Sequence, residues 1–164
     1  MKRTFDLIFS FILIVLLLLP MLVISLIIRF ESNGPSIYWS KRVGKDNKIF
    51  LMPKFRSMKI NTPQLATHLM QDSNKFVTPF GSFIRKNSID ELPQLYSILK
   101  GDLSLVGPRP ALFNQEDLIK LRVKYKLDEL KPGLTGWAQI NGRDSISIER
   151  KVEFEIEYLN KKNL

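Results

Sequence analysis

Two adjacent carboxylates, Asp90 and Glu91, are the residues of this sequence best suited to do chemistry. They stand directly before a segment, 92–99, whose apolar residues recur at helical spacing. Pro93 is compatible only with the first turn of a helix because it lacks a backbone N–H, and Gly101 is a natural helix stop. The pair is therefore predicted to lie at or before the first turn, where unpaired N–H groups and the helix dipole favour anions.

This pattern has two interpretations. Asp90 is a good helix cap, and Ser88 with Glu91 also fits a capping box. Alternatively, Asp90 is a nucleophile beside a glutamate that holds a metal ion. Arg85 and Lys86 precede the pair, and nearby cations would keep both carboxylates ionised. That environment suits a nucleophile with a Mg²⁺ ligand, and it equally suits a surface cluster of salt bridges.

Composition limits the chemistry further. The chain has 164 residues and a net charge of +9, with a sequence pI of about 9.8, which indicates an anionic partner such as nucleic acid, phospholipid or a phosphorylated substrate. It contains no cysteine, which excludes disulfides, cysteine nucleophiles and thiolate-bound zinc. His68 is the single histidine, so a catalytic triad built on histidine is excluded and any metal must be bound mainly by oxygen.

The chain begins with an uncharged apolar run over 7–28. As a helix it would extend about 33 Å at about 1.5 Å per residue, enough to cross a bilayer core. Both flanks, 2–3 and 29–48, are basic, and the positive-inside rule would keep both ends in the cytoplasm. Pro20 interrupts the hydrogen bonding of the run and favours a break there. The residues alone leave a spanning helix and a re-entrant hairpin both open.

The next part of the chain predicts two short strands over 36–39 and 49–52, joined by a polar turn. Lys54 and Arg56 follow, on one face of an extended segment. They are either charges that guard a strand edge or a clamp for phosphate. The segment 61–80 is polar and weakly periodic and is predicted to be mainly a loop.

Beyond the carboxylate pair, a short apolar strand leads into a turn in which prolines flank Arg109. Such a turn either holds a guanidinium in place for bidentate phosphate recognition or is a simple proline-rich turn with a solvated arginine. An amphipathic helix is predicted over 111–130 and a closing helix over 148–159. Between them, the glycine-rich segment 131–143 is predicted to be a loop or short hairpin, where Gln139, Asn141 and Arg143 are polar at alternate positions, as in a reader of a base or phosphate.

Taken in order, four motifs resemble the bacterial sugar transferases, also called monotopic phosphoglycosyl transferases. The resemblance extends over nearly the whole chain and includes the apolar N-terminal segment. The four motifs are Lys54–Met58, Asp90–Gln94, Gly101–Pro110 and Pro132–Arg143.

The resemblance implies transfer of a sugar-1-phosphate from a nucleotide-sugar, usually a UDP-sugar, to a polyprenyl phosphate such as undecaprenyl phosphate, with release of UMP. It implies that Asp90 forms a covalent phosphosugar intermediate, that Glu91 binds Mg²⁺ and that a re-entrant hairpin is broken near Pro20. In this family, the transfer of sugar-1-phosphate to the lipid is the first membrane step in the synthesis of capsule, exopolysaccharide, O-antigen or glycoprotein glycans. The expected substrate-binding residues are Arg85, Arg109, Lys54, Arg56, Gln139 and Arg143.

The expected fold is therefore α/β, a small sheet with surrounding helices, with a membrane hairpin over 1–31 and a catalytic domain over 32–164. That domain is expected to face the cytoplasm at the inner membrane and to contact membrane lipid. Nucleic acid is not an expected partner, because no helix-turn-helix or RNA-binding signature is present. The alternative is a membrane-anchored protein that binds nucleotide-sugar or lipid without turnover, because the chain ends at Leu164 where compact relatives usually continue. The choice of sugar is expected to depend on loops.

Overall fold

The computed structural model describes residues 1–60, 62, 76–142 and 145–161. Helices predominate, as the sequence predicts, and the described strands form two small sheets where a single small sheet is predicted. Single turns of 3₁₀ helix lie at Lys45–Asn47 and Ile89–Glu91. The elements are α1 (Lys2–Glu31), β1 (Ile37–Val43), β2 (Ile49–Phe55), α2 (Pro79–Lys86), α3 (Gln94–Lys100), β3 (Ser104–Val106), α4 (Glu116–Lys124), β4 (Gly133–Thr135), α5 (Trp137–Ile140) and α6 (Ile148–Lys161).

Strands β1 and β2 form an antiparallel hairpin in which Ile37 pairs with Phe55 and Val43 pairs with Ile49. Both predicted strands are present, and both are longer than predicted. The second sheet pairs β3 with β4 in parallel. The glycine-rich segment thus supplies a strand and then the short helix α5, rather than a hairpin of its own.

Helix α1 is one helix that continues through Pro20, so a two-helix hairpin is not shown. Proline withholds a single N–H from the helical ladder, and the helix on both sides of it can persist. The most apolar window of α1 has a mean hydropathy of 3.3 and is 6% buried, so the helix is long and apolar enough to cross a membrane. This exposed apolar helix indicates membrane association.

The first turns of α1 are tied to the rest of the protein by charged side chains. The Lys2 ammonium donates to the Val106 carbonyl at 2.7 Å, and the Arg3 guanidinium donates to the Ile98 carbonyl at 2.6 Å. The buried Asp6 carboxylate accepts from the Ser104 hydroxyl at 2.8 Å. These bonds link the start of the apolar helix to α3 and β3.

The far end of α1 is tied to the same body. Arg56, at the end of β2, donates to the carbonyl of Ser32 at 2.7 Å and to that of Asn33 at 3.0 Å. The Glu31 carboxylate accepts from the Phe80 amide at the start of α2 at 2.7 Å. Both ends of the apolar helix therefore contact the polar part of the protein.

Apolar packing joins α1 to the elements that carry the site. Each of three buried clusters brings together residues that are distant in sequence, which fixes the elements relative to one another. The clusters are Met52, Leu95, Ile98 and Leu103 with Leu13, Ile14 and Leu17 against them; Ile28, Phe55 and Ile84; and Ala111, Leu118, Leu127, Leu130 and Val152.

Helix α2 was not predicted, although the sequence carries a signal for it. Thr78 caps the helix by accepting from the Gly81 amide at 3.0 Å, and Pro79 follows at the first helical position, an arrangement typical of helix starts. The predicted helix over 111–130 is wrong in its bounds, because α4 is shorter. It ends before Lys126, whose φ of 56° is left-handed and incompatible with a continued helix.

Candidate active site

Asp90 and Glu91 lie in the 3₁₀ turn that precedes α3, as predicted from Pro93. Ser88, before this turn, has a left-handed backbone with φ of 56°. Neither the turn nor α3 receives a capping hydrogen bond from a side chain, so capping is the wrong interpretation of the pair. The two carboxylates are therefore available for other contacts.

Glu91 is held by two cations. The Lys54 ammonium lies 2.8 Å from Glu91 Oε1, and the two terminal nitrogens of Arg109 donate to Oε1 at 2.6 Å and to Oε2 at 3.2 Å. Burial raises the pKa of Glu91, but the hydrogen bonds from Arg109 and the charge of Lys54 outweigh it and lower that pKa to about 2. Glu91 is therefore ionised throughout the physiological range.

Asp90 has a different environment. Its side chain is 8% exposed and lines a cavity, and burial raises the pKa of its carboxyl. The charge of Glu91 acts in the same direction, whereas those of Lys54, Arg85 and Arg109 oppose it. Burial also lowers the pKa of Lys54, against the opposing charge of Glu91. The two neighbouring acids thus differ in their proton affinity, which is common in catalytic pairs.

The cavity beside Asp90 has a volume of about 300 Å³ and lies against the β1–β2 hairpin. Its wall is strongly cationic, and it also carries the aromatic rings of Tyr38 and Phe113. The Lys41 ammonium lies 5.8 Å from the centroid of the Phe113 ring. A wall of this kind favours a phosphorylated ligand. The basic residues that line it are Lys41, Arg42, Lys54, Arg56, Lys59 and Arg85.

Sequence reasoning assigned several of these residues differently. The sequence places Lys41 and Arg42 in the basic flank of the apolar segment and in the polar turn between the strands, whereas both lie within β1, and it gives no signal for Phe113. Arg42 bonds to the Pro110 carbonyl at 3.2 Å, which places it beside the turn that carries Arg109. The sequence feature that could have identified Arg42 is the alternation of side chains along β1, which directs Ser40 and Arg42 to one face of the hairpin.

The predicted substrate-binding residues are only partly brought together. Lys54, Arg56 and Arg85 line the cavity, and Arg109 reaches Glu91 beside it. Arg56 is 8% exposed, and two of its nitrogens bond to the carbonyls at the end of α1. This arginine therefore joins β2 to α1 as well as lining the cavity.

Gln139 is outside the residues that line the cavity, and its amide nitrogen donates to the Leu134 carbonyl at 2.9 Å. Because Trp137–Ile140 is helical, alternate residues here do not share a face as they would in a strand. Arg143 lies outside the described residues. The roles of Gln139 and Arg143 stay predictions.

The turn that carries Arg109 is positioned by close backbone packing between two distant motifs. A Cβ added at Gly133 would lie 2.1 Å from the Gly107 nitrogen, and one added at Gly136 would lie 2.1 Å from the Gly107 oxygen. Only hydrogen fits at these positions, so β3 and β4 can approach closely enough to pair. The two glycine-containing motifs thus form one unit behind Arg109.

Known proteins resemble this chain along its whole length. The model of the bacterial sugar transferase family matches residues 1–164. The UDP-glucose:undecaprenyl-phosphate glucose-1-phosphate transferase of Escherichia coli (strain K12) is 41% identical over 97% of this chain and 36% of its own length. The undecaprenyl-phosphate galactose phosphotransferase of Salmonella typhimurium is 36% identical over the same shares.

A shorter relative is matched over most of its length. The uncharacterized sugar transferase EpsL of Bacillus subtilis (strain 168) is 41% identical over 98% of this chain and 78% of its own length. Against the two longer relatives, by contrast, the chain spans about a third of their length. The match over the whole chain shows that this protein belongs to the bacterial sugar transferase family.

Proposed function

We propose that this protein transfers a sugar-1-phosphate from a UDP-sugar to undecaprenyl phosphate and releases UMP. The observation that carries the proposal is the Asp90 carboxylate in the wall of a cationic cavity, next to a second carboxylate held by Lys54 and Arg109. Relatives that cover the same family region are named for transfer of glucose-1-phosphate or galactose phosphate to undecaprenyl phosphate. Donor and acceptor in the proposal follow those names.

In the first step, an oxygen of the ionised Asp90 attacks the phosphorus next to the sugar. A new bond forms between this oxygen and the phosphorus, the bond from the phosphorus to the bridging oxygen of the diphosphate breaks, and UMP leaves with that electron pair. The product is an acyl phosphate that links the sugar to Asp90. Covalent catalysis of this kind divides one difficult displacement into two easier ones.

In the second step, a phosphate oxygen of undecaprenyl phosphate attacks the same phosphorus. The bond from the phosphorus to Asp90 breaks, which restores the carboxylate and yields a lipid diphosphate-linked sugar. Two displacements at one phosphorus require the cavity to admit the nucleotide-sugar and the lipid phosphate in turn. The exposed apolar helix α1 supports this proposal because it would keep the site beside the lipid.

The cations around Asp90 have a defined task in both steps. A carboxylate and a diphosphate repel each other, and charge develops on the transferred group and on the leaving UMP. Lys54 and Arg85 line the cavity close to Asp90, and they would bind phosphate oxygens. Arg109 is held by Glu91, which fixes the direction of its guanidinium.

We further propose that Mg²⁺ assists the transfer. The described residues contain no group of three or more acidic, histidine or cysteine side chains that could hold a metal. Two adjacent carboxylates nevertheless fit Mg²⁺, which often takes one or two carboxylates and completes its shell with phosphate and water. Glu91 would hold the ion, and the bound ion would neutralise charge on the diphosphate. Either Lys54 or Arg109 would then have to move away from Glu91.

The placement of α1 supports a site on one side of the membrane. Lys2 and Arg3 at one end and Ser32 at the other are hydrogen-bonded to the same body. A helix that crossed the bilayer would carry one end away and break these bonds. We therefore propose that both ends of the segment 1–31 stay on one side of the membrane, as in the re-entrant arrangement that the family resemblance implies, and that the domain over 32–164 faces the cytoplasm, as the basic flanks favour.

The test is release of UMP by the full chain in undecaprenyl phosphate-containing micelles, with UDP-glucose, UDP-galactose and UDP-N-acetylgalactosamine in parallel. Release is expected with at least one donor and Mg²⁺, and a phosphosugar adduct on Asp90 is expected in mass spectrometry when lipid is omitted. Asp90→Asn should abolish both, at a cost of about a thousandfold or more.

Asp46→Asn is the control, because it removes an exposed carboxylate outside the cavity. Its activity should equal that of the unchanged protein. If a donor binds and no UMP is released, the protein binds nucleotide-sugar without turnover and the transferase proposal fails. If UMP is released without an adduct while Asp90→Asn remains active, the covalent step is wrong.

A further inference from the structure

A buried ion pair connects α4 to α6, and neither of its residues lines the cavity. Arg122 Nε donates to Glu155 Oε2 at 2.9 Å, and Arg122 Nη2 donates to Glu155 Oε1 at 2.5 Å. The two side chains are 9% and 2% exposed. Removing two charges from water is costly, and well-packed apolar residues are often as stable in their place. The pair therefore calls for a reason other than stability.

One contact of this pair points toward the active site. Arg122 Nη2 also donates to the backbone carbonyl of Arg109 at 2.8 Å. Prolines on both sides restrict the backbone of Arg109, and its guanidinium donates two hydrogen bonds to Glu91. A continuous series of hydrogen bonds thus leads from Glu155 through Arg122 and Arg109 to the acid next to the proposed nucleophile.

Helix α6 has a second contact with the same turn. The Tyr158 hydroxyl donates to the Val106 carbonyl at 3.2 Å, and the Lys2 ammonium donates to Tyr158 at 2.8 Å. One turn of α6 separates Glu155 from Tyr158, so both lie on one side of the helix. Helix α6 therefore holds the segment 106–109 at its two ends, directly at Val106 and through Arg122 at Arg109.

We propose that Arg122 and Glu155 are positioning residues for the transfer reaction, which set the Arg109 guanidinium by holding its backbone. The inference rests on the proposed function. Arginine is suited to this task because its planar fork can donate to a carboxylate and a carbonyl at once. Glu155 holds the plane of the fork and balances its charge, so that a buried cation can lie beneath the turn.

The decisive variant replaces the ion pair by apolar residues of similar length, Arg122→Met with Glu155→Met. Such a replacement is expected to keep the melting temperature within a few degrees of the original while removing the donor to Arg109. We expect kcat for UMP release to fall by about tenfold to a hundredfold, with KM for the donor nearly unchanged. A merely structural pair would leave kcat unchanged in this folded variant, and that result would overturn the proposal.

The matched control is Arg150→Met with Glu153→Met, which removes an exposed ion pair on the same helix α6. Its kcat and KM should remain those of the unchanged protein. A second comparison places the Arg122/Glu155 change in an Arg109→Ala background. Since the pair acts through Arg109, the Met/Met replacement should lower kcat little further in this background. If the two changes instead lower kcat by the product of their separate effects, the proposal is contradicted.

Hydrogen exchange tests the inference without turnover. The Gly107 amide donates to the Thr135 carbonyl at 2.8 Å, and its protection reports on the turn before Arg109. This protection should fall in the Met/Met variant and remain in the control. If the unchanged protein releases no UMP from any donor, the proposed function fails, and unchanged protection at Gly107 would separately overturn the positioning role. If the Met/Met variant does not fold, Arg122→Lys replaces it, because lysine keeps the charge and lacks the fork.

Discussion

At the scale of single residues, the two neighbouring acids are separated by their surroundings. Glu91 receives hydrogen bonds from Lys54 and Arg109, and its pKa falls to about 2. Burial dominates at Asp90, and its pKa is raised. A nucleophile that is less stabilised as an anion is more reactive, whereas an acid that organises cations works best when it is always charged. Adjacent residues can therefore perform two different tasks.

The first prediction concerns the pH dependence of transfer. In the proposed mechanism the attack requires ionised Asp90, and because the pKa of Asp90 is raised, the acid limb of kcat/KM should lie above the range of an ordinary aspartate. Burial lowers the pKa of Lys54, so the alkaline limb should lie below the range of an ordinary lysine. Initial rates of UMP release across pH, with donor well below KM, measure both limbs. Lys54→Arg keeps the charge at high pH and should move only the alkaline limb.

The second prediction concerns Glu91→Gln. The change leaves Lys54 and Arg109 without their anionic partner in a largely buried site, and it should lower the free energy of unfolding by about 2 kcal/mol or more. Glu116→Gln, in an exposed pair of α4, should change that free energy by less than about 0.5 kcal/mol. Denaturant unfolding measures both. Equal effects would mean that the contacts to Glu91 contribute no more than a surface pair does.

The pH dependence of stability provides a further check on the same residue. The pKa of Glu91 is depressed in the folded state from its ordinary value of 4.5, so its contribution to stability is fully present above 4.5. That contribution is lost as pH falls from 4.5 toward about 2, because the unfolded chain takes up the proton first. In Glu91→Gln the fall in unfolding free energy between pH 4.5 and about 2 should be smaller, because the contribution of Glu91 is absent.

At the scale of elements, the site depends on how closely β3 and β4 approach each other. Gly133→Ala would place a methyl group 2.1 Å from the Gly107 nitrogen, where only backbone movement can relieve the overlap. The turn that carries Arg109 should then shift, lowering kcat at least about tenfold and destabilising the fold by about 2 kcal/mol. UMP release and thermal melting measure the two effects.

The control for this prediction lies in the same strand. Thr135→Ala changes an exposed side chain and leaves the backbone pairing of β4 intact, so its rate and melting temperature should be nearly unchanged. If Gly133→Ala behaved like Thr135→Ala, the close packing of the glycines would not determine the position of Arg109.

At the scale of the whole molecule, α1 joins the charged body that carries the candidate site to an exposed apolar surface. Leu16 and Leu19 are 68% and 71% exposed on the face that points away from the body. Leu16→Glu with Leu19→Glu should reduce binding to anionic lipid vesicles by about tenfold or more, because two apolar side chains leave the lipid and two charges repel it. Vesicle co-sedimentation measures the change, and circular dichroism should remain that of the folded protein.

The matched control carries the same two charges elsewhere. Val123→Glu with Ile140→Glu replaces exposed apolar residues on α4 and α5 and should leave vesicle binding within about twofold of the original. An equal loss in both variants would mean that net charge, and not the apolar face of α1, determines binding. When the assay is run in detergent micelles, the α1 variant should still release UMP because its cavity is unaltered.

Local sequence was enough to predict the features that depend on neighbouring residues. Pro93 and the apolar spacing after it located the carboxylate pair at the start of a helix, and the uncharged run determined α1. Such features arise within a turn or a strand, where the conformation of each residue depends on the next few. The same limit explains the misplaced end of α4, because a periodic pattern continues past a residue with left-handed backbone.

Which charges meet depends on how the folded chain packs. Glu91 finds its partners 37 residues earlier, at Lys54, and 18 residues later, at Arg109, while Arg122 finds Glu155 33 residues later. Neither periodicity nor composition distinguishes these cations from the others in a chain of net charge +9. Pairing at such separations is selected by the packing of whole helices and strands, because burial makes a few contacts strong and leaves the exposed charges weakly coupled through water.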